Sequence, residues 1–539
     1  MNAKKSWLKH YPESIVYDLE IPNVSLPEML KKSVEDYPDN IALSFYQKKI
    51  SYREFGHLSS LFGAALQHTF HMGPKDRVAI MLPNCPQFSI SYYGILKAGG
   101  TITQINPMLV ERELQYILAD SGAETIVIYD ALYPRLKAIQ DQTNVKNVVV
   151  VHLQTGAEPV DPDFTFDQFI QSTSNQLKSV TVDPEEDIAV LQYTGGTTGR
   201  SKGAMLTHKN LIANIEQSLE FFKNEITFGK EKCLTVIPLF HVFGMTSCMN
   251  LSIRIGGESI ILPKFDVDEV LRTIANEKPT MFPGVPTMYV ALTNHPDAEK
   301  FNLDSIKTCN SGSAPMPVGL MNEFENKTGA KILEGYGLSE ASPTTHVNPP
   351  FAERKPGSVG IGFPSTEYKI VDLGEGKTEL PFGESGELIL KGPQVMKGYW
   401  NMPEETAYTL KDGWLFTGDI AKMDKDGFVY IIDRKKDLII ASGYNIYPRD
   451  IEEVLYEHPG VMEAVIVGVP DQYRGETVKA VIVKKQGAKL TEEEVISYCQ
   501  EQMAPYKVPR IVEFRDELPK TSVGKILRRS IRDEARQLK

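Results

Sequence analysis

The chain has 539 residues, of which 42% are hydrophobic and 24% are charged, and its formal net charge is −12. These values are typical of a globular protein with two or more domains, and the net negative charge argues against a general affinity for nucleic acid or anionic bilayers. Five widely spaced cysteines without a C-x-x-C pair disfavour a disulfide framework or a thiolate metal site, and no signal peptide is visible, so we expect a cytoplasmic protein.

Apolar strands and amphipathic helices alternate from residue 77 onward. This βαβ alternation predicts mainly parallel sheets covered by helices on both faces. The predicted strands are 77–82, 101–105, 125–129 and 148–151, and the predicted helices are 88–98 and 111–121.

A loop rich in glycine and hydroxyl side chains follows the apolar run 188–191. It spans residues 194–203 and contains Arg200 and Lys202. Glycines let backbone N–H groups approach an anion, hydroxyls donate further hydrogen bonds, and a cation offsets the charge. The order Ser-Lys-Gly differs from the Gly-Lys-Ser/Thr of a Walker A loop, so we predict a nucleotide enzyme outside the P-loop NTPases.

A second alternating block is predicted from about 210 to 348. Within it, residues 233–253 carry no Lys, Arg, Asp or Glu and are long enough to span a bilayer. Because the segment contains Pro238, His241, Gly244, Asn250 and several hydroxyls, we interpret it as buried interior that lines a site.

After Pro349 the sequence pattern changes to short predicted strands separated by glycines, at 368–371, 387–390 and 428–432. This pattern predicts an antiparallel sheet or distorted barrel. A charged cluster at 433–437 then precedes an α+β unit with helices 449–457 and 492–502 and strands 464–469 and 478–483. We therefore predict an N-terminal domain of residues 1–433 and a small mobile domain of residues 434–539.

Five motifs in fixed order give the chain a specific resemblance. They are the loop at 194–203, Leu239–Met245, Glu334–Glu340, Trp414–Asp419 and Pro519–Lys525. Their order and spacing resemble the adenylate-forming superfamily of acyl-CoA synthetases, beetle luciferases and peptide-synthetase adenylation domains, over essentially the whole chain. Within it, the opening Trp7-Leu8, the run Glu334–Pro343 and Ser442–Pro448 are most similar to bacterial long-chain fatty acid–CoA ligases.

The resemblance implies a two-step reaction with ATP, Mg²⁺ and CoA. A carboxylate attacks the α-phosphate of ATP to give acyl-AMP and pyrophosphate, and the CoA thiol then displaces AMP. A medium- to long-chain fatty acid is the expected acid. No nucleic acid partner is expected, while a homodimer and peripheral membrane association are both compatible with this class.

The resemblance also assigns site residues. Lys525, His241 and Glu340 would be catalytic, with Glu340 also the Mg²⁺ ligand, and Lys436 would be the hinge about which the small domain rotates between the two steps. The loop Ser442, Gly443 and Tyr444 would form the CoA side. Residues for ATP or AMP would be Thr194, Gly195, Gly196, Thr197, Thr198, Gly199, Lys202, Ser313, Ala314, Pro315, Glu334, Tyr336, Gly337, Ser339, Asp419 and Arg434.

The chemistry of these side chains suits the roles. A single carboxylate is enough for Mg²⁺, which takes phosphate oxygens and waters as its other ligands. Asp419 can accept two ribose hydroxyls at once, and Lys525 is a compact cation for charge that develops at the α-phosphate. The acyl pocket is expected to run from His241 past Phe243, Met245 and residues 281–290.

One alternative stays open at this stage, another adenylating enzyme, and two alternatives from other classes are disfavoured. The chain could activate aryl or short branched acids, or pass its acyl group to a carrier protein. A regulatory relative without activity is disfavoured because Lys525, Glu340, Asp419 and Arg434 are all present. An ATPase or kinase would need the Walker loop that the sequence lacks.

Overall fold

The computed structural model describes residues 5–153, 164–194, 201–296, 301, 303–314, 316, 318–441, 444–471, 474–521 and 524–537. The predicted mixed α/β class is confirmed, with two large layered sheets, an antiparallel sheet and a smaller C-terminal α+β unit. The α-helices are Leu26–Asp36, Tyr52–His68, Pro86–Lys97, Glu111–Ser121, Tyr133–Lys137, Phe166–Ile170, His208–Phe221, Leu251–Arg254, Val267–Glu277, Pro286–Thr293, Val318–Thr328, Pro403–Thr409, Pro448–Glu457, Glu492–Gln502 and Arg528–Gln537.

An eight-stranded sheet contains the predicted alternating block. Its central strands are parallel, and only the pairs that involve Lys202–Thr207 are antiparallel. The strand that leads into the phosphate loop therefore lies in the middle of the sheet, where both faces are buried. In spatial order the strands are Gly398–Tyr399, Lys202–Thr207, Ile188–Thr194, Thr101–Gln104, Arg77–Met81, Thr125–Tyr129, Asn147–Val151 and Phe164–Thr165.

The second sheet joins parts of the chain that lie far apart in sequence. Strand Ile41–Phe45 pairs in parallel with Glu258–Ile261, and parallel bridges of Met281 to Cys233 and Thr308 connect the two halves of the sheet. One half consists of Lys232–Thr235, Glu258–Ile261, Ile41–Phe45 and Lys48–Ser51, and the other of Thr308–Ser311, Lys331–Gly337, Thr344–Val347 and Ile361–Gly362.

The predicted glycine-punctuated strands form one antiparallel sheet. Pairing across this sheet extends its last strand beyond the predicted end at residue 432, because Asp433 and Arg434 are still in register with Ile420 and Asp419. The first two residues of the charged cluster are therefore strand residues. The strands are Glu367–Val371, Gly386–Lys391, Leu410–Lys411, Trp414–Met423 and Val429–Arg434.

The C-terminal unit has its own sheet and apolar core. Helices Pro448–Glu457 and Glu492–Gln502 have the predicted positions within one residue at each end. The sheet comprises Tyr444–Ile446, Ile439–Ala441, Gly475–Lys484, Val461–Asp471 and Ile511–Arg515. The domain boundary at 433/434 stays a prediction, although the last strand of the antiparallel sheet ends at Arg434.

The charge-free segment 233–253 is buried, as predicted. It consists of strand Lys232–Thr235, a loop, the π-helix Gly244–Asn250 and the short helix Leu251–Arg254. Gly244 has no room for a side chain, because a Cβ there would lie 2.3 Å from the carbonyl oxygen of Pro238. Glycine is therefore required for the chain to turn from the loop into the π-helix.

Candidate active site

A cleft of about 2230 Å³ lies where the large sheets, the antiparallel sheet and the C-terminal unit meet. Carboxyl ends of parallel strands open toward it, which is the usual place for a ligand in an open α/β sheet. The structure brings together, on its walls, the predicted residues Thr194, Lys202, His241, Ser313, Ala314, Glu334, Tyr336, Gly337, Ser339, Glu340, Asp419, Arg434, Lys436 and Lys525.

Other predicted residues cannot be placed. Of the CoA-side loop only the backbone of Tyr444 is described, at the start of strand Tyr444–Ile446. The residues that lie outside the described ranges are Gly195, Gly196, Thr197, Thr198, Gly199, Pro315, Ser442 and Gly443.

A chain of four polar side chains occupies the end of the cleft beside the phosphate loop. Lys202 is 8% exposed, and its ammonium group pairs with the carboxylate of Glu405. The same ammonium lies 5.3 Å from the centroid of the Tyr399 ring. Tyr399 in turn donates its hydroxyl to Oε1 of Glu340 over 2.7 Å. The lysine of the loop and the predicted metal ligand are thus linked through a single tyrosine.

Glu340 fits the part of a Mg²⁺ ligand. Burial and the charge of Glu340 raise the pKa of Tyr399 far above its usual value, so Tyr399 stays a hydrogen-bond donor that orients the carboxylate. No group of three or more His, Cys, Asp or Glu side chains that could hold a metal occurs in the described ranges. A Mg²⁺ ion here would complete its shell with phosphate oxygens and waters.

Asp419 and Arg434 face each other on neighbouring strands of the antiparallel sheet. Arg434 Nε lies 3.4 Å from Asp419 Oδ1, and the Tyr336 hydroxyl donates to Asp419 Oδ2 over 2.5 Å. Asp419 is 6% exposed, and its charge raises the pKa of Arg434. A carboxylate has about four acceptor positions, so Asp419 retains capacity for ribose hydroxyls beside these two partners.

Buried acceptors without a partner lie deeper in the cleft. Glu334 accepts from the Met316 N–H through Oε1, while its Oε2 has no hydrogen-bond partner in the described structure, and neither does Ser311 Oγ. Burial raises the pKa of Glu334 to about 7, and the positive charge of Arg449 opposes that rise. Because buried polar atoms are normally paired, these groups fit a ligand with amino donors, such as adenine.

His241 is held by the loop that precedes it. The buried Asn84 donates to two carbonyl groups of that loop and accepts from the Leu239 N–H over 2.7 Å. Nδ1 of His241 accepts from the Phe243 N–H over 3.2 Å, so the neutral ring carries its proton on Nε2. Burial lowers the pKa of His241 to about 4, with a further contribution from the charge of Lys525. His241 is therefore a neutral donor at pH 7.

Lys525 reaches the cleft from the C-terminal unit. The preceding Gly524 has φ +74°, and a Cβ there would lie 2.6 Å from Thr287 Oγ1 of the large domain, so the two parts of the chain approach closely at this point. Burial lowers the pKa of Lys525 to about 7; the charge of Arg434 lowers it further, and that of Asp419 opposes this. The two cations and one carboxylate form a site with excess positive charge.

Lys436 lies in a turn that Asp437 N–H closes by donating to the carbonyl oxygen of Arg434 over 2.9 Å. Burial lowers the pKa of Lys436 to about 8, and the charge of Arg434 contributes. Asp433 lies just before this turn. Its carboxylate accepts hydrogen bonds from the Arg449 N–H and from the side chain of Arg528, which both lie after the turn. These contacts hold the C-terminal unit against the cleft.

The apolar arm of the cleft, which is the predicted acyl pocket, is lined by only some of the predicted residues. Those that do not line it are Met245 and, within 281–290, Phe282, Pro283, Gly284, Val285, Met288 and Tyr289. Met245 is fully buried and is not among the residues that line the cleft; its sulfur accepts from Gln104 Nε2 over 3.2 Å. The π-helix turns this side chain into the core. The predicted residues that do line the cleft are Phe243, Met281, Pro286, Thr287 and Val290.

Sequence reasoning missed Tyr399 and Glu405. Both lie in a short stretch, Gly398 to Thr409, that we did not connect with the phosphate loop. Their partners are 59 and 203 residues away along the chain, so only pairing of Gly398–Tyr399 with strand Lys202–Thr207 reveals their place. The one local indication was the acidic pair Glu404-Glu405 after Pro403, which is typical of the first turn of a helix.

Comparison with known proteins agrees with this geometry. A profile of the AMP-binding enzyme family matches residues 30–400, and one of the AMP-binding enzyme C-terminal domain matches residues 450–525. The chain is 49% identical to a long-chain-fatty-acid–CoA ligase of Bacillus subtilis and 41% identical to one of Escherichia coli O6:H1, with 99% of each chain covered.

A solved structure is also similar to this chain over nearly its whole length. ATP-bound MatB from Rhodopseudomonas palustris superposes with a TM-score of 0.88 at 32% identity over 96% of this chain and 100% of that one. The apo form of MatB gives 0.76 at 31% identity over the same shares. The chain belongs to the AMP-binding, adenylate-forming enzyme family.

Proposed function

We propose that the protein is an AMP-forming fatty acid–CoA ligase. It activates a medium- to long-chain fatty acid with ATP to acyl-AMP and pyrophosphate, and then transfers the acyl group to CoA, releasing AMP. The observation that carries this function is the meeting of Lys525, His241, Asp419 and Arg434 in one cleft with an apolar arm. Full-length similarity to long-chain-fatty-acid–CoA ligases supports the choice of acid.

The first step places a fatty acid carboxylate beside the α-phosphate of ATP. The carboxylate is ionised at pH 7 and needs no general base. His241 donates from Nε2 to hold the reacting oxygens, and Lys525 stabilises the negative charge that develops between the carboxylate and the α-phosphate. Asp419 holds the ribose. Mg²⁺ at Glu340 would neutralise phosphate charge when bound.

For the second step, the C-terminal domain rotates about Lys436 and brings the loop at Gly443 toward the cleft. The rotation removes Lys525 and must break the contacts of Asp433 with Arg449 and Arg528. Hinges of this kind concentrate backbone change at a few residues between two rigid bodies.

Acid-dependent ATP–pyrophosphate exchange, with and without CoA, tests the function. The panel should contain straight-chain acids from short to long and cinnamate-type acids. Exchange that is greatest with medium or long chains, and acyl-CoA on addition of CoA, is the expected result. Exchange without acyl-CoA would instead favour a carrier-protein acceptor, and a preference for aryl acids would overturn the fatty acid assignment.

In the exchange reaction, kcat/KM for ATP should fall as the pH rises through about 7. Lys525 acts as a cation, and its pKa is lowered to about 7 in the free enzyme, so its charged fraction falls as the pH rises through that value. Bound phosphates favour the ammonium form and should move the limb for kcat to higher pH. His241, with its pKa near 4, should contribute no acidic limb above pH 5. If kcat/KM instead fell only near the ordinary pKa of lysine, the lowered pKa of Lys525 would be contradicted.

Tyr399→Phe should raise the Mg²⁺ concentration needed for half-maximal exchange. The change removes the hydroxyl that orients Glu340 and leaves the ring in place. Loss of such a supporting hydrogen bond typically weakens a metal site by about tenfold or more. Tyr408→Phe is the control, because Tyr408 is 68% exposed on the neighbouring helix. An unchanged Mg²⁺ requirement in Tyr399→Phe would argue against Glu340 as the ligand.

Because long-chain acids partition into bilayers, peripheral membrane association belongs to the proposal. A homodimer and a cytoplasmic location belong to it as well. In the described ranges, no helix combines the length and apolarity that a membrane crossing requires. Flotation with vesicles and light scattering of the purified protein would test the two associations.

A further inference from the structure

Lys202, the cation of the phosphate loop, is already paired with a protein carboxylate. Its side chain is 10% exposed, and that of Glu405 is 31% exposed. A largely buried ammonium group needs a compensating partner, and Glu405 supplies one. ATP brings several negative charges to the same ammonium group. The phosphates and Glu405 must then share Lys202 or compete for it.

The position of Glu405 is fixed by its neighbours. Thr406, the next residue, accepts from the Tyr399 N–H over 2.9 Å, and Tyr399 also donates to Glu340. Strand Gly398–Tyr399 pairs with the strand that Lys202 begins. Because these contacts attach the start of helix Pro403–Thr409 to the site, the backbone of Glu405 is held beside Lys202. The charge of Glu405 remains within range of the phosphate and repels it.

We propose that Glu405 is a counter-ion that competes with the phosphates of ATP for Lys202 and sets how tightly the enzyme holds ATP and pyrophosphate. The inference rests on the proposed function, because it takes the phosphate role of Lys202 from it. Pyrophosphate is the first product of the proposed reaction. A carboxylate that re-pairs with Lys202 as pyrophosphate departs lowers the cost of leaving that cation buried.

The test is calorimetric titration of Glu405→Gln with Mg·pyrophosphate and with Mg·ATP in the absence of fatty acid. Glutamine keeps the size of the side chain and removes its charge. We expect both ligands to bind about three- to tenfold more tightly than to the unchanged enzyme, as for the loss of one partly screened like charge. Glu404→Gln is the matched control, because Glu404 is the exposed preceding residue of the same helix turn, and it should leave both affinities unchanged.

A double-mutant cycle with Lys202→Met separates competition from a merely structural role. If Glu405 competes for Lys202, Glu405→Gln should tighten pyrophosphate binding clearly less once the ammonium group is gone, because only the direct repulsion is then relieved. Thermal unfolding of each variant, with and without pyrophosphate, reports folding independently of activity. Weaker or unchanged binding by a folded Glu405→Gln variant would overturn the proposal and assign Glu405 to holding Lys202 in place for phosphate.

Failure of the proposed function would look different. If the enzyme without substitutions bound no Mg·ATP and showed no acid-dependent exchange, both proposals would lose their basis. An unchanged enzyme that exchanges pyrophosphate normally, with no tightening in Glu405→Gln, would overturn the counter-ion role alone.

Discussion

Lys525→Ala should abolish acyl-AMP formation and largely preserve thioester formation from supplied acyl-AMP. Lys525 is the cation that the C-terminal unit inserts beside Asp419, Arg434 and His241. Removal of one preorganised group that stabilises developing charge typically costs about 10²- to 10³-fold in rate. We therefore expect at least that loss in ATP–pyrophosphate exchange. The second step should change little, because the proposed rotation takes Lys525 out of the cleft.

Lys520→Ala is the control for this variant. Lys520 lies on the same hairpin, and its ammonium group pairs with Glu463 over 2.5 Å. If the hairpin merely needs its lysines to fold, both variants should lose exchange together. Single-turnover measurements of each step separate the outcomes. Equal loss of both steps in Lys525→Ala would contradict the rotation, since the lysine would then serve both arrangements.

Asp419→Asn should lower kcat/KM for ATP by about 10- to 100-fold, because a hydrogen bond to a charged group is worth roughly 1.5–3 kcal/mol and tenfold corresponds to about 1.4 kcal/mol. The amide keeps the shape but brings an NH₂ donor against the donors of Arg434 or Tyr336. It also removes the negative charge that supports the ammonium form of Lys525.

The second effect gives Asp419→Asn a signature of its own. The alkaline limb of kcat/KM should move to lower pH, because the charge of Asp419 raises the pKa of Lys525 in the unchanged enzyme. Asp412→Asn is the control: Asp412 is exposed, in a turn with φ 52°, which asparagine adopts readily. A loss of ATP affinity with an unmoved pH profile would mean that Asp419 and Lys525 do not share one site.

Local patterns in the sequence predicted most elements that frame the cleft. Helices 111–121 and 492–502 and strand 125–129 have the predicted bounds. Helix Pro86–Lys97 begins two residues earlier than predicted, because proline is favourable at the first helical position. Periodicity could not reveal that Ile41–Phe45 pairs with Glu258–Ile261, since that contact joins segments more than 200 residues apart.

The sequence by itself determined the family, because five motifs in fixed order resemble it, and that resemblance implied the two-step chemistry and the residues expected to perform it. The tertiary structure decided which side chains lie beside them. It turned Met245 into the core, fixed the tautomer of His241 through the Phe243 N–H, and brought Tyr399 and Glu405 to the phosphate loop. Motifs encode chemistry that is local in the chain, whereas a counter-ion depends on which strands become neighbours.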